Sequence, residues 1–241
     1  MITQAYCLRV GALTRPAAVR LRDAALVLLI FFLLQFSTIA MGELVASGAA
    51  GRAALPLFGT FIAALGVAAA SRGILGSGFT AKGLQGIGVA WISRAIAFKW
   101  ILFGALTGGI VTYLTYIFPH VASSEHSPAE MFLNNGLGVI VIWVITAIII
   151  APIVEEFVFR GFILSAVSGK VGTSFGIVVS AAAFLVIHLP QIDGYWLAGI
   201  ALFILGLLSG IARINSGSLV APILFHCCYN TVAVINVLLQ N

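Results

Sequence analysis

Long apolar runs separated by short polar or glycine-rich breaks dominate the chain. A membrane-crossing helix needs about 20 mostly apolar residues, and the runs predict seven such helices, within a range of six to eight. They cover Ala24 to about Met41, Ala53 to Ala70, Lys99 to Phe118, a stretch from near Gly136 through Ile150, Phe175 to Leu189, Tyr195 to Ala212, and Ser218 to Leu239. Pro152 is expected to kink the fourth. Between Ala81 and Lys99 the residues Leu84, Ile87, Trp91, Ile92 and Ala95 recur at helical spacing near Lys82 and Arg94. That pattern fits an amphipathic helix lying in the membrane interface, or equally an ordinary loop helix.

Composition narrows the class to an all-α, polytopic integral membrane helical bundle. The chain of 241 residues is 61% hydrophobic and 8% charged, with mean hydropathy +1.16, outside the range of soluble domains. The segment before the first run carries Arg9, Arg15, Arg20 and Arg22 against Asp23. The run that follows exceeds the usual length of a signal peptide's apolar region, so an uncleaved first span is expected. Arg72, Lys82, Arg94 and Lys99 cluster before the third span, whereas the loop Pro119 to Asn135 holds Glu125 and Glu130 and no Lys or Arg. The positive-inside rule then puts the N-terminus and the Arg72 to Lys99 segment in the cytoplasm. The net charge of +5 suits anionic lipid headgroups rather than nucleic acid. Two parts are expected: residues 1–135, with the basic leader and three spans, and residues 136–241, with the chemistry.

The chemistry lies in the few ionisable groups inside the later apolar runs. Glu155, Glu156 and Arg160 stand in one, His188 in the next, and His226 with Asn230 in the last. Charges at a helix centre cost roughly 2.5 to 3.5 kcal/mol each on insertion scales. Each alone has a plain structural explanation: a membrane histidine commonly bridges helices, and Glu156 with Arg160 is a natural tie at a spacing of four. Their convergence favours a site. Glu155 is turned about 100° from Glu156, which splits the pair into two roles. A hairpin turning at Ser168 to Thr173 brings Glu155 and His188 to equal depth, and His226 and Asn230 share a helix face. Amide hydrolysis needs a base for water, a partner that orients it and donors for the oxyanion. Glu155 with His188 suits the first two, His226 with Asn230 the third, and Glu156 with Arg160 would support the helix.

The strings Glu155-Glu156-Phe157-Val158-Phe159-Arg160, Phe184 to His188, and His226 to Asn230 resemble the three motifs of the CPBP family. This is the Abi or CAAX-protease group of intramembrane endopeptidases, which includes the Rce1-type prenyl-protein proteases. The resemblance spans roughly Gly136 to Leu239. It implies that Glu155 is the general base, that His188 helps hold the catalytic water, and that His226 with Asn230 stabilises the tetrahedral intermediate. Eukaryotic members remove a C-terminal tripeptide from prenylated CAAX proteins, and bacterial ones are associated with bacteriocin processing and self-immunity. The expected partners are thus a peptide or lipidated protein substrate and membrane lipid, with no nucleic acid, in a bacterial or archaeal cell membrane. Zinc is an open alternative, with Glu155, His188 and His226 as donors, but no H-E-x-x-H occurs. Cys7, Cys227 and Cys228 form no disulfide or metal spacing, and small apolar packing roles are expected for the adjacent pair. Asp193 fits a turn. Two rival readings are a proton-coupled transporter or channel and a non-catalytic immunity or scaffold protein.

Overall fold

A computed structural model describes residues 19–45, 49–74, 87–119, 130–134, 136–192 and 194–240. The leader with Cys7, most of the acidic loop, and Asp193 lie outside the described residues. The protein is all-α, without a strand among those residues. We number the helices α1 (Leu21–Val45), α2 (Ala49–Ile74), α3 (Arg94–Ile117), the short α4 (Glu130–Leu133), α5 (Leu137–Val171), α6 (Thr173–His188), α7 (Trp196–Ser216) and α8 (Val220–Gln240). Five of them, α3 and α5 to α8, are long and apolar enough to cross a membrane, and α2 holds a shorter apolar stretch, Gly59–Ser71. Their outward surfaces are correspondingly greasy: Leu106, Ile110, Ile149, Val178 and Ile200 are all exposed, as lipid-facing residues should be.

The chain runs up and down. α5 turns at Gly172, whose φ of +93° is a conformation that glycine enters without steric cost, and α6 returns beside it. α6 ends at His188, where a single 3-10 turn (Leu189–Gln191) precedes α7. α3 packs along α8 and α6 along α7. Both contacts are close because the inward positions are glycines at a spacing of four. A Cβ at Gly104 would lie 2.2 Å from the Phe225 carbonyl oxygen, and one at Gly108 would lie 3.0 Å from that of Tyr229. At Gly206 it would meet Ala181 at 2.9 Å, and at Gly210 Ile177 at 2.9 Å. Close backbone approach through small residues is the main source of helix association in lipid, where no hydrophobic effect drives it.

α5 is the central element and is not a plain α-helix. Its 35 residues span about 52 Å at 1.5 Å per residue, and two stretches widen into π-helix, Thr146–Ile150 and Phe157–Ile163. Between them stands one short α segment, Ala151–Glu156. The helix continues through Pro152, which has no N–H to give to the ladder. Such π segments recur at functional sites.

The expected amphipathic helix is corrected over its described part. Ile87 and Gly88 form a turn, residues 89–93 have no regular structure, and helix begins only at Arg94, with Ser93 capping it by accepting from Ile96 N at 3.3 Å. The reason is competition for main-chain bonds. Gly88 O accepts from Leu219 N at 2.7 Å, Ser218 Oγ bonds both N and O of Ala90, and Arg213 donates to Ile87 O at 3.3 Å. Ile87 is wholly buried. The segment is therefore strapped across the α7–α8 turn, and the fully exposed Trp91 projects from it.

The Gly104 contact yields a direct prediction. Gly104→Val should clash with the α8 backbone and cost about 1–3 kcal/mol of stability, as overpacking does. The check is the melting temperature in detergent, with Gly109→Val as control, since nothing lies within 4 Å of a Cβ there.

Candidate active site

Three helices meet at the middle of α5: α6 and α8 bring His188 and His226 to its acids, and α7 brings the Gly206 carbonyl to Arg160. Glu155 and Glu156 close the short α segment between the two π stretches. Their surroundings differ sharply: the Glu155 side chain is 14% exposed, and that of Glu156 is 0% exposed. Glu156 Oε1 accepts from Arg160 NH1 at 3.0 Å, and His226 Nδ1 lies 2.9 Å from the same oxygen. The Arg160 guanidinium is wholly buried and donates again, from NH2 to the Gly206 carbonyl of α7 at 2.9 Å. Its plane lies over Phe184 at 4.9 Å and near Phe159 at 5.9 Å, a placement that favours a desolvated cation. A buried pair of this kind is held by its extra hydrogen bonds, because Coulomb attraction barely offsets desolvation.

Glu155 faces the two histidines. One carboxylate oxygen is 3.8 Å from His188 Nε2, and the other is 3.8 Å from His226 Nε2. The remaining ring nitrogens settle the orientation. His188 Nδ1 is 2.8 Å from the Phe184 carbonyl, which can only accept, so Nδ1 carries the proton and Nε2 turns to Glu155. His226 Nδ1 is engaged by Glu156, which again leaves Nε2 toward Glu155. Phe184 lies against both rings, tilted to His188 with centroids 4.5 Å apart and edge-on to His226 at 5.7 Å, and closes the cluster on its α6 side.

Asn230 is held differently. Its Nδ2 donates to the main-chain oxygen of Ala147 at 2.8 Å, upstream of the acid-bearing segment. Every candidate of the sequence reading is thus in the same region: Glu155, His188 and His226 face one another, Glu156 and Arg160 lie behind, and Asn230 touches α5 itself. What the sequence reading missed is the His226–Glu156 bond, the Gly206 carbonyl under Arg160, and Phe184 as a shared wall. Only Phe184 left a signal, lying four residues before His188 on the same face. Cys227 and Cys228 follow His226 as partly buried free thiols.

Among the described residues no group of three His, Cys, Asp or Glu has the geometry to hold a metal ion. The separations of 3.8 Å exceed the roughly 3.4 Å between two donors at about 2.1 Å from a tetrahedral ion. The donors as placed do not fit zinc, and no step below passes through one.

Residues 136–232 match the family model described as Rce1-like, the type II CAAX prenyl endopeptidase Rce1-like family. An uncharacterized 24.3 kDa protein of Escherichia coli is 27% identical over 145 residues, which are 59% of this chain and 61% of that protein. The chain therefore matches about three-fifths of that relative's length. No solved structure matches. The stretch holding the acids, both histidines and Asn230 lies within the residues that match this family model. The chain that carries it is an integral, multi-pass membrane protein.

The buried pair gives the second prediction. Arg160→Met strands Glu156 without its cation and should cost about 3–5 kcal/mol, whereas the double change Glu156→Leu with Arg160→Met should cost less than the single one. Thermal unfolding of the detergent-solubilised variants measures both; a double variant less stable than Arg160→Met would contradict the assignment.

Proposed function

We propose that the protein is an intramembrane endopeptidase that hydrolyses a peptide bond near the C-terminus of a lipidated, CAAX-type substrate, with water activated by Glu155. The observation that carries this reading is the asymmetry of the two adjacent acids. Glu156 is sealed and tied to Arg160 and His226, while Glu155 is partly exposed with an imidazole Nε2 on each side. The first is built as a support and the second as a base.

In this mechanism a water lies between Glu155 and His188, donating one hydrogen to the carboxylate and the other to His188 Nε2. Glu155 takes a proton as the water oxygen bonds to the scissile carbonyl carbon. The carbonyl π electrons move to oxygen, and His226, protonated, donates from Nε2 to that oxyanion. Collapse breaks the C–N bond, the proton on Glu155 passes to the leaving nitrogen, and the carboxylate is regenerated. No acyl-enzyme forms, so the thiols of Cys227 and Cys228 have no part in the chemistry.

Access from the cytoplasm is consistent with the architecture. The strap at residues 87–93, the Gly172 turn and the α7–α8 turn share one end of the bundle, the end toward which the basic residues are biased. His226 lies six residues from the start of α8, about 9 Å along the helix, whereas Glu155 and His188 lie 17 and 16 residues from Gly172, so α8 starts deeper in the bundle than that turn, beside Gly161. A substrate tail entering from that side would reach the His226 side of Glu155 first.

The test is cleavage of a quenched, prenylated CAAX peptide by purified protein in detergent. Glu155→Gln should lower kcat by about 10²–10⁴-fold, the usual worth of a general base, and wild type treated with a strong chelator should retain activity. Equal rates for wild type and Glu155→Gln would overturn the assignment of the base, and loss on chelation restored by zinc would overturn the metal-free mechanism. Cleavage of an unprenylated peptide at the same rate would remove the lipid from the substrate description.

A further inference from the structure

We infer that Arg213 binds the terminal carboxylate of the substrate, about three extended residues past the bond cut at Glu155; this deepens the protease reading and rests on it. The guanidinium has no counter-charge. Arg213 is only 9% exposed, yet of the five N–H groups such a side chain offers it uses one. Nη2 donates to Ile87 O at 3.3 Å, and Nε is buried without a partner. No acid among the described residues pairs with it: Asp23 is engaged by Arg22, and Glu155 and Glu156 by the histidines and Arg160. A buried cation with neither counter-ion nor a set of acceptors is costly. Nε together with an Nη group is the fork that grips a carboxylate through two parallel bonds. Arg160, by contrast, already has its carboxylate in Glu156 and a second acceptor in Gly206 O.

Its distance from the acids fits that role. The guanidinium sits against Gly88, where a side chain would collide with it, and Gly88 O accepts from Leu219 N at 2.7 Å. It therefore lies at the level of Leu219. Leu219 precedes His226 by seven residues, about 10 Å of helix. It also lies against Gly161, which is six residues, about 9 Å, along α5 from Glu155. On α7, Arg213 stands two turns, again about 10 Å, from Gly206 and on the same face, and Gly206 O holds Arg160 beside Glu156. Three helices thus give one separation of roughly 10 Å, which an extended chain covers in about three residues. Polarity agrees with the distance. Arg213 is in the last turn of α7, on the cytoplasmic side of the acids, so a carboxylate held there stays near the headgroups while the lipidated residue lies deeper. The reverse orientation would carry the terminal charge toward the bilayer centre, at a cost of several kcal/mol.

The experiment uses the prenylated CAAX peptide made in two forms, the free acid and the C-terminal carboxamide. Cleavage by the full chain is compared for wild type, Arg213→Met and Arg213→Lys, and affinity for the uncut peptides is measured on Glu155→Gln protein with and without Arg213→Met. Wild type should favour the acid by about 10- to 100-fold in kcat/KM, the usual worth of a charge-assisted hydrogen bond, with most of the difference in KM. In Arg213→Met the two peptides should be cut with equal efficiency, and Arg213→Lys, which keeps the charge and loses the fork, should narrow the preference. Equal rates on both peptides in wild type would overturn the inference. So would a proportional loss on both in Arg213→Met, which would make the guanidinium a prop for residues 87–93, or a preference that appears only when anionic lipid is added, which would assign it to a headgroup phosphate. If Arg213→Met does not fold, the wild-type preference and its narrowing in Arg213→Lys decide the matter, and a preference unchanged by lysine contradicts the inference. Absence of cleavage by wild type would count against the protease reading, while the acid-over-amide affinity of the Glu155→Gln protein still tests the carboxylate site.

Discussion

The structure depends on holding a full positive charge, Arg160, in a place with no water. An unpaired guanidinium there would cost more than the rest of the packing could return. Glu156 neutralises it, the Gly206 carbonyl takes a second N–H, and Phe184 lies under the cation. Each partner brings an element with it. Gly206 fixes α7, and its missing side chain lets α6 approach there. Phe184 fixes α6, and His226, bonded to the same Glu156 oxygen, fixes α8. One buried charge therefore draws three helices to the middle of α5, and Glu155, one residue from Glu156, faces the centre of what they enclose.

That arrangement accounts for two adjacent acids with unlike behaviour. Successive residues on a helix point about 100° apart, so Glu156 can be spent entirely on structure while Glu155 stays toward the histidines. His226 links the two halves, with Nδ1 on the structural acid and Nε2 toward the other. A carboxylate oriented in this way by neighbours that are themselves hydrogen-bonded is preorganised, and preorganisation rather than strength of any one bond is what such sites require.

Much of this was legible in the residue order. Each of the seven apolar runs falls in a helix, α1, α2, α3, α5, α6, α7 or α8, because in lipid only helices satisfy their own backbone, but five of these rather than seven are long and apolar enough to cross a membrane. The hairpin argument also carried over: the turn falls at Gly172 and sets Glu155 beside His188, at 3.8 Å. What was not legible depends on main-chain bonds between distant segments. Ile87 to Ser93 carry a helical pattern, yet their carbonyls and amides are spent on Ser218 and Leu219. The π-widening of α5 leaves no compositional mark beyond Pro152, so the pairing of Ala147 with Asn230 could not be read from the spacing of motifs. Nor could the shared Glu156 oxygen, since a spacing of four identifies Arg160 as its partner but says nothing of a histidine 70 residues away.

The central claim is that Glu155 does the chemistry and Glu156 holds the fold. It is tested most directly by measuring cleavage rate and melting temperature on the same preparations of Glu155→Gln and Glu156→Gln. The account predicts that Glu155→Gln loses cleavage with a melting temperature equal to or above wild type, since functional carboxylates are commonly retained at a cost in stability. It predicts that Glu156→Gln lowers the melting temperature by leaving Arg160 unneutralised. An active Glu155→Gln, or a Glu156→Gln variant as stable as wild type, would contradict it.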